Sequence, residues 1–372
     1  MQRYITLIIL LLGFLFGLES CRSKSEQAMM PKPWKLENPS QVYTLKLRDN
    51  IKYQAWPSNL LEATQLKEVI GLYTRELKTL PPEISKLKNV HNWQLRRTGL
   101  QTLPSEIGQL SGADALHLNN NELKSLPPEI GQLQELGMLQ LDDNRLKVLP
   151  KEIGNMTSLW ELFIRNNQLK AIPSTIGKLI KLSTLELEHN ELKTTPVSVG
   201  NLKKLRVLDL SHNKIQSIPL GGIPSSLFIL KIADNQLTHF PKAIYTTRKN
   251  LGTLSLSYNQ IKALPNDFKH FINLSKLGLS HNQLTKIPAI LGKSPLISLW
   301  LNNNQLTDLP HELGRPHIRV LDLSNNQFTK VPACVYQLKT LEHLNLSGNP
   351  LRLSEADKKA LQEALPNTEI IL

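Results

Sequence analysis

Cysteine is almost absent from this chain: Cys21 and Cys334 are the only two in 372 residues. Cys21 sits at the end of a leader-like segment, which leaves Cys334 without an internal partner, so disulfides carry no part of the fold. Aromatic residues make up only 5%, and a core must therefore come from the aliphatic side chains, chiefly Leu and Ile, of a 40% apolar composition. Acids are short, 31 against 44 Lys and Arg, and the resulting net charge of +13 favours anionic partners or surfaces without naming one. The motifs of catalysis are missing as well. There is no G-x-S-x-G elbow, no phosphate loop, no H-E-x-x-H helix and no Cys/His pairing, so the chain reads as a non-enzyme without a cofactor or a resident metal. Aromatic–basic interleaving is missing too, which argues against nucleic acid.

Long apolar runs are absent except at the start. Arg3 precedes an almost unbroken apolar stretch of 14 residues, Ile5 to Leu18. A bilayer span needs ~20 residues, whereas a signal-peptide core is about this short. The stretch ends in Leu18-Glu19-Ser20-Cys21, a small residue before a cysteine. This resembles the lipobox of bacterial lipoproteins, with Glu19 where a small or apolar residue is usual. The resemblance implies a signal peptide over residues 1–20, lipidation at Cys21 and attachment to a membrane through that lipid. Plain secretion and an uncleaved anchor are the alternatives. Residues 21–40 are polar, carry prolines without a period and read as a flexible tether.

From there the chain repeats itself. LGMLQLDDNRL (136–146), LSTLELEHNEL (182–192), LSKLGLSHNQL (274–284) and LEHLNLSGNPL (341–351) all fit L-x-x-L-x-L-x-x-N-x-L. The Asn recurs at Asn121, Asn144, Asn167, Asn190, Asn213, Asn235, Asn259, Asn282, Asn304, Asn326 and Asn349, with gaps of 22 to 24 residues. A second block follows each, such as KSLPPEIGQLQ (124–134) or KAIPSTIGKLI (170–180). Alternation in x-L-x-L-x puts the leucines on one side of a short strand and the intervening residues on the other. The leucines, with the Pro and Ile of the second block, are expected to fill the interior. The Asn sits where the chain must turn, and its amide can both donate and accept, so it satisfies backbone groups out of reach of water.

The ends depart from the pattern as caps should. In register, Thr98 and Arg75 precede Asn121, and YTLKLRDNIK (43–52) reads as one more irregular turn. Residues 41–100 are therefore an N-terminal cap with divergent first repeats, and 101–351 the regular array. Residues 352–372 form a C-terminal cap. There Ser354 and Asp357 make a capping-box pattern, Leu361, Ala364 and Leu365 face inward, Pro366 stops the helix and NTEIIL (367–372) adds a last strand. The count is 13 repeats from Arg75 to Asn349, or 14 with the first irregular turn.

The motif and its period are the signature of leucine-rich repeats. Residues ~66–351 resemble bacterial proteins of the LP-x-x-I-G class, and the leader together with LPNTEIIL (365–372) resembles leptospiral lipoproteins of that family. The resemblance implies an α/β solenoid: a curved horseshoe of 13–14 turns with a concave parallel sheet and short helical, 3-10 or irregular segments outside. It also implies an exported interaction protein of the outer membrane or cell surface, an adhesin for host glycoproteins or polysaccharides. A structural or interaction protein of the bacterium's own envelope is the alternative. Either would act as a monomer with a protein or glycan ligand on the concave face.

Specificity must lie on the residues between and after the strand leucines. An acidic patch is expected there from Asp142, Glu161, Glu186, Glu188 and Asp209, with Arg165 inside it and Trp160 and Phe163 beside it. A divalent cation across Glu186, Glu188 and Asp209 stays open, although no calcium-binding loop is present. Trp300 stands alone between Gly278 and Asp322 of the neighbouring repeats and is the leading candidate anchor. His189, His212 and His281 occupy the position before the ladder Asn and read as structural. Lys124, Lys147, Lys170 and Lys193 recur in phase and form an edge for anionic surfaces, joined from the outer face by Lys178, Lys181, Lys203 and Lys204.

Overall fold

The computed structural model describes residues 38–41, 43–47, 62–63, 65–71, 77–314 and 317–372. The leader, Cys21, most of the tether, Asn50 and Arg75 lie outside the described residues. Each L-x-L segment forms a strand of three or four residues: β1 Thr44–Leu47, β2 Glu68–Gly71, β3 Asn92–Gln94, β4 Ala115–His117 and β5 Met138–Gln140. Then come β6 Glu161–Phe163, β7 Thr184–Glu186, β8 Val207–Asp209, β9 Ile229–Lys231 and β10 Thr253–Ser255. The last are β11 Lys276–Gly278, β12 Ser298–Trp300, β13 Val320–Asp322, β14 His343–Asn345 and β15 Glu369–Ile371. All pair in parallel and in chain order into one 15-stranded sheet. Strands β1 to β14 are the expected turns and β15 belongs to the cap.

The sheet has one dry side. In β4 to β14 the central leucine and the Leu or Ile two residues later, such as Leu185 and Leu187, are almost fully buried. They meet the Ile of the outer segment, Ile153 and Ile176 among them, in one continuous core. Each ladder Asn links two turns. Asn190 Nδ2 donates to the carbonyls of Ile164 and Leu187 at 2.8 and 3.0 Å, and its Oδ1 accepts the Leu169 N–H at 3.0 Å. At Thr98 the hydroxyl takes over part of this role, donating to the Leu95 carbonyl at 3.0 Å. The residue before each Asn has positive φ, 54° at His189, 52° at His212 and His281, and 54° at Tyr258. Asn, Asp and His tolerate that conformation best among non-glycine residues, which explains the histidines without a metal. Their rings stack: His189 on His212, and Tyr258 on His281, each at 4.0 Å.

The outer side corrects the expected place of proline at several turns, while Pro241 and Pro332 are buried as expected. Pro127, Pro150 and Pro173 do not fill the interior; they are half-exposed and cap short 3-10 helices such as Lys151–Asn155. The Pro150 carbonyl accepts the Ile153 N–H at 3.1 Å, which drives the Ile inward. The following Gly is fixed by the next turn: a Cβ at Gly154 would lie 2.3 Å from the Thr175 carbonyl oxygen. Cys334 is buried in the 3-10 helix Ala333–Gln337, and burial pushes its thiol up to about 11. At the C-terminus, helix α1 (Glu355–Ala364) starts in a capping box between Ser354 and Asp357 and buries Leu361. Among the described residues, no helix is long and apolar enough to cross a membrane.

Candidate binding surface on the concave face

Parallel register turns sequence period into surface rows. The third strand position aligns Phe163, Glu186, Asp209, Lys231, Ser255, Gly278, Trp300 and Asp322 on successive strands, about 4.8 Å apart. The first position aligns Met138, Glu161, Thr184, Val207 and Ile229 beside it. Both rows face away from the leucine core, because side chains alternate along each strand.

Over β5 to β9 the expected acidic patch is a lattice of ion pairs. Asp142 is 5% exposed and accepts the Arg165 backbone N–H at 2.8 Å and its guanidinium at 3.0 Å. The same guanidinium lies 3.4 Å from Glu186 and 5.8 Å from the centre of the Phe163 ring. Asp209, 2% exposed, meets Lys231 at 3.0 Å and accepts the Ser211 N–H. Three of the five acids are thus spoken for by basic neighbours. Sequence reading missed Lys231 as a partner because it belongs to the next turn. The side-chain carboxylates of Glu161 and Glu188 have no hydrogen-bond or ion-pair partner among the described residues. Burial holds the Glu161 and Glu186 carboxyls above the usual range, with Arg165 opposing the shift at Glu186. Lys231 is raised: burial lowers it, but its hydrogen bond and charge contact with Asp209 outweigh that. No three His, Cys, Asp or Glu side chains among the described residues are placed to hold a metal ion.

Over β10 to β12 the same rows hold Thr253, Ser255, Lys276, Gly278, Ser298 and Trp300, with Ser257 and Ser280 after the second leucine. Ser280 is tied to Asn302. The hydroxyls of Thr253, Ser255, Ser257 and Ser298 and the indole N–H of Trp300 have no partner among the described residues. Ser298 is only 6% exposed and lies two residues from Trp300 on the same face. Trp300 is itself partly buried, next to Gly278 in register. Beyond this stretch pairing resumes: Ser324 donates to Asp322 and Ser347 to Asn345, each at 2.7 Å.

Two sequence placements change. Trp160 is not on the strand; it precedes β6 at the margin of the sheet, 46% exposed, its ring in the space that a Cβ at Gly137 would need. Lys178, Lys181, Lys203 and Lys204 do not join the row of Lys124, Lys147, Lys170 and Lys193. That row is exposed on the turns leaving the strands. The other four lie in or after the outer 3-10 helices, on the turns entering the next strand. Within one closed turn these are opposite flanks.

Comparison with known proteins places this geometry. The family profile described as "Leucine-rich repeat region" matches residues 82–187 and 115–218, and "Leucine rich repeat" matches 225–284 and 294–351. A leucine-rich repeat protein of Leptospira interrogans is 32% identical over 92% of this chain and 100% of its own, with a TM-score of 0.70. The plant peptide hormone receptor RGFR1, in complex with RGF2, is 25% identical over 79% of this chain and 57% of that one, with a TM-score of 0.62. Prolargin from Bos taurus is 33% identical over 70 residues, 18% of this chain and 18% of prolargin.

Proposed function

The chain belongs to the leucine-rich repeat family, whose members are generally protein-interaction modules, and on that premise we propose that strands β10 to β12 of its concave face dock a protein partner. One observation carries the choice of site: the unpartnered hydroxyls and indole N–H around the 6%-exposed Ser298, beside the aromatic ring of Trp300. Trp300 supplies a large rigid apolar area at low entropic cost, and such residues dominate interface energies. The hydroxyls offer donors and acceptors without a buried charge. RGFR1, bound to RGF2, supports a peptide-like segment as the occupant.

The leader over residues 1–20 and the lipobox ending at Cys21 support an exported protein anchored by its N-terminal lipid, displayed at the bacterial surface as an adhesin. Mass spectrometry of the mature protein should find a modified Cys21 as the first residue; an unmodified N-terminus elsewhere removes the anchor. Cleavage of the protein by protease added to intact cells tests display.

The docking site is tested on arrays of extracellular-matrix proteins and glycans probed with the full chain. Trp300→Ala should weaken capture of a protein ligand about 30-fold, the equivalent of ~2 kcal/mol, and leave thermal unfolding nearly unchanged. Normal capture by Trp300→Ala, with loss on replacing Lys147 and Lys170, moves the site to the exit flank. Capture of glycans alone changes the class of ligand.

A further inference from the structure

The flank by which the chain enters the strands carries a second surface, distinct from the concave face. The turns leading into β4 and β5 hold Asp114 and Glu135 and no Lys or Arg. From β7 onward the balance reverses. Lys181, Lys203, Lys204, Arg206, Arg248 and Lys249 are all exposed there, and none meets a carboxylate among the described residues. On these entry turns from β7 to β14, the one carboxylate among the described residues is Glu342, which is paired with Arg319 at 3.3 Å.

Among these cations stand apolar side chains that nothing covers. Ile180 is 60% exposed, Ile272 59%, Ile297 44% and Phe228 44%. Each belongs to an entry turn, of β7, β11, β12 and β9 respectively, and Trp160 continues the line before β6. Phe228 occupies the space that a Cβ at Gly252 would need, and the Arg206 guanidinium lies 5.5 Å from the centre of its ring. With strands about 4.8 Å apart, the stretch from Ile180 to Arg319 spans six steps, roughly 29 Å.

The exit flank is built differently. Two of its bases are paired with acids: Lys214 meets Glu191 at 3.0 Å and Arg145 meets Glu122 at 3.3 Å. The lysines there hold the Glu191 carboxyl below its usual range, Lys214 first and then Lys170 and Lys147. Lys124, Lys147, Lys170 and Lys193 make no ion pair among the described residues, so the two flanks differ mainly in the exposed apolar side chains that stand among the cations on the entry side.

We infer that the entry flank from β7 to β13 docks onto an anionic lipid bilayer. Basic side chains collect at a surface of phosphate headgroups, while apolar ones among them reach below the headgroups into the interface. Phe228 with Arg206 stacked on it suits that boundary, where aromatic residues gather. A sulfated polysaccharide accounts for the cations and leaves Ile180, Ile272 and Ile297 in water with no role, so the mixed composition favours the membrane. The surface lies on a flank, outside the curve of the sheet. A molecule resting on it keeps the concave face open.

The test uses the full chain carrying Cys21→Ala, so that no acyl group accounts for binding. Its partitioning is measured by sedimentation with vesicles of phosphatidylcholine alone and of phosphatidylcholine with phosphatidylglycerol. Binding should favour the anionic vesicles at least tenfold and weaken as salt rises. Lys203→Glu, Lys204→Glu and Arg206→Glu together should lower it more than tenfold, given roughly fivefold per base from ~1 kcal/mol each. Phe228→Ser, Ile272→Ser and Ile297→Ser together should lower it severalfold while the salt dependence remains. Lys147→Glu, Lys170→Glu and Lys193→Glu on the exit flank should change it less than about twofold. Absence of a preference for anionic vesicles overturns the inference, as does an equal loss from the exit-flank variant. Heparin binding that depends on the three bases, with vesicle binding indifferent to Phe228, Ile272 and Ile297, identifies a polyanion site instead.

Discussion

Strands β5 to β9 and strands β10 to β12 share one backbone and one asparagine ladder, yet they meet solvent in opposite ways. In the first region two aspartates are nearly sealed from water and answered by bases one turn away, Asp142 by Arg165 and Asp209 by Lys231. In the second, Lys276 and Trp300 apart, the side chains are small and neutral, and four hydroxyls and an indole N–H stay unpartnered among the described residues. A buried carboxylate must be answered from within, since the cost of leaving it unpaired is large. A serine hydroxyl at a sheet surface can wait for water or a ligand. Charge in the first region therefore secures the fold, and the sparse second region keeps its hydrogen-bonding capacity for a partner.

The largest effect expected from this contrast is at Arg165. Arg165→Ala leaves Asp142 buried without its base and should destabilise by roughly 3 kcal/mol in chemical denaturation. Trp300→Ala in the second region should cost little stability. Equal losses would erase the distinction.

Next, the shared ladder should not distinguish the regions. Asn190→Ala and Asn282→Ala each strip three carbonyls and one N–H of their partner, and each should cost about 2 kcal/mol. A large difference between them would mean that the two backbones are not equivalent.

Unpartnered hydroxyls sharpen the comparison further. Thr195 stands where other turns place Leu126, Leu149 and Ile172, is 2% exposed, and its Oγ1 is buried without a partner. Thr195→Val should raise stability by about 1 kcal/mol, since it removes an unsatisfied group at constant shape. Ser298→Ala should leave stability nearly unchanged and weaken capture of the ligand. A stabilised Ser298→Ala with normal capture would mark Ser298 as a second packing defect.

The smallest effect concerns Glu161. Its carboxyl is raised by burial, so folding favours the protonated form, and ionisation at neutral pH works against the native state. Glu161→Gln should therefore raise the melting temperature slightly at pH 7. The gain should fade as pH falls through the usual carboxylate range, where wild-type Glu161 is protonated in both states. A gain independent of pH would point to packing instead of charge.

Much of the molecule was legible before any coordinates. The phase of the leucines and the spacing from Asn121 to Asn349 dictate the number of turns, the parallel stacking and the row in which each variable residue lies. Pro127, Pro150 and Pro173 were misplaced because a proline beside buried leucines looks apolar, whereas its carbonyl and fixed φ make it a helix cap. The pairs of the concave face were not legible. Stacking brings residues 22 or 23 apart together, such as Asp142 with Arg165 and Asp209 with Lys231, but several neighbours compete for each charge, and burial and rotamer choose among them. The flank occupied by Lys181 or Lys203 was equally hidden, because it depends on where each turn passes from the outer helix back toward the sheet. Sequence alone determined the solenoid, because its period repeats one local solution. Tertiary structure decided which surfaces are neutralised and which remain open, because that depends on contacts between turns that no single repeat contains.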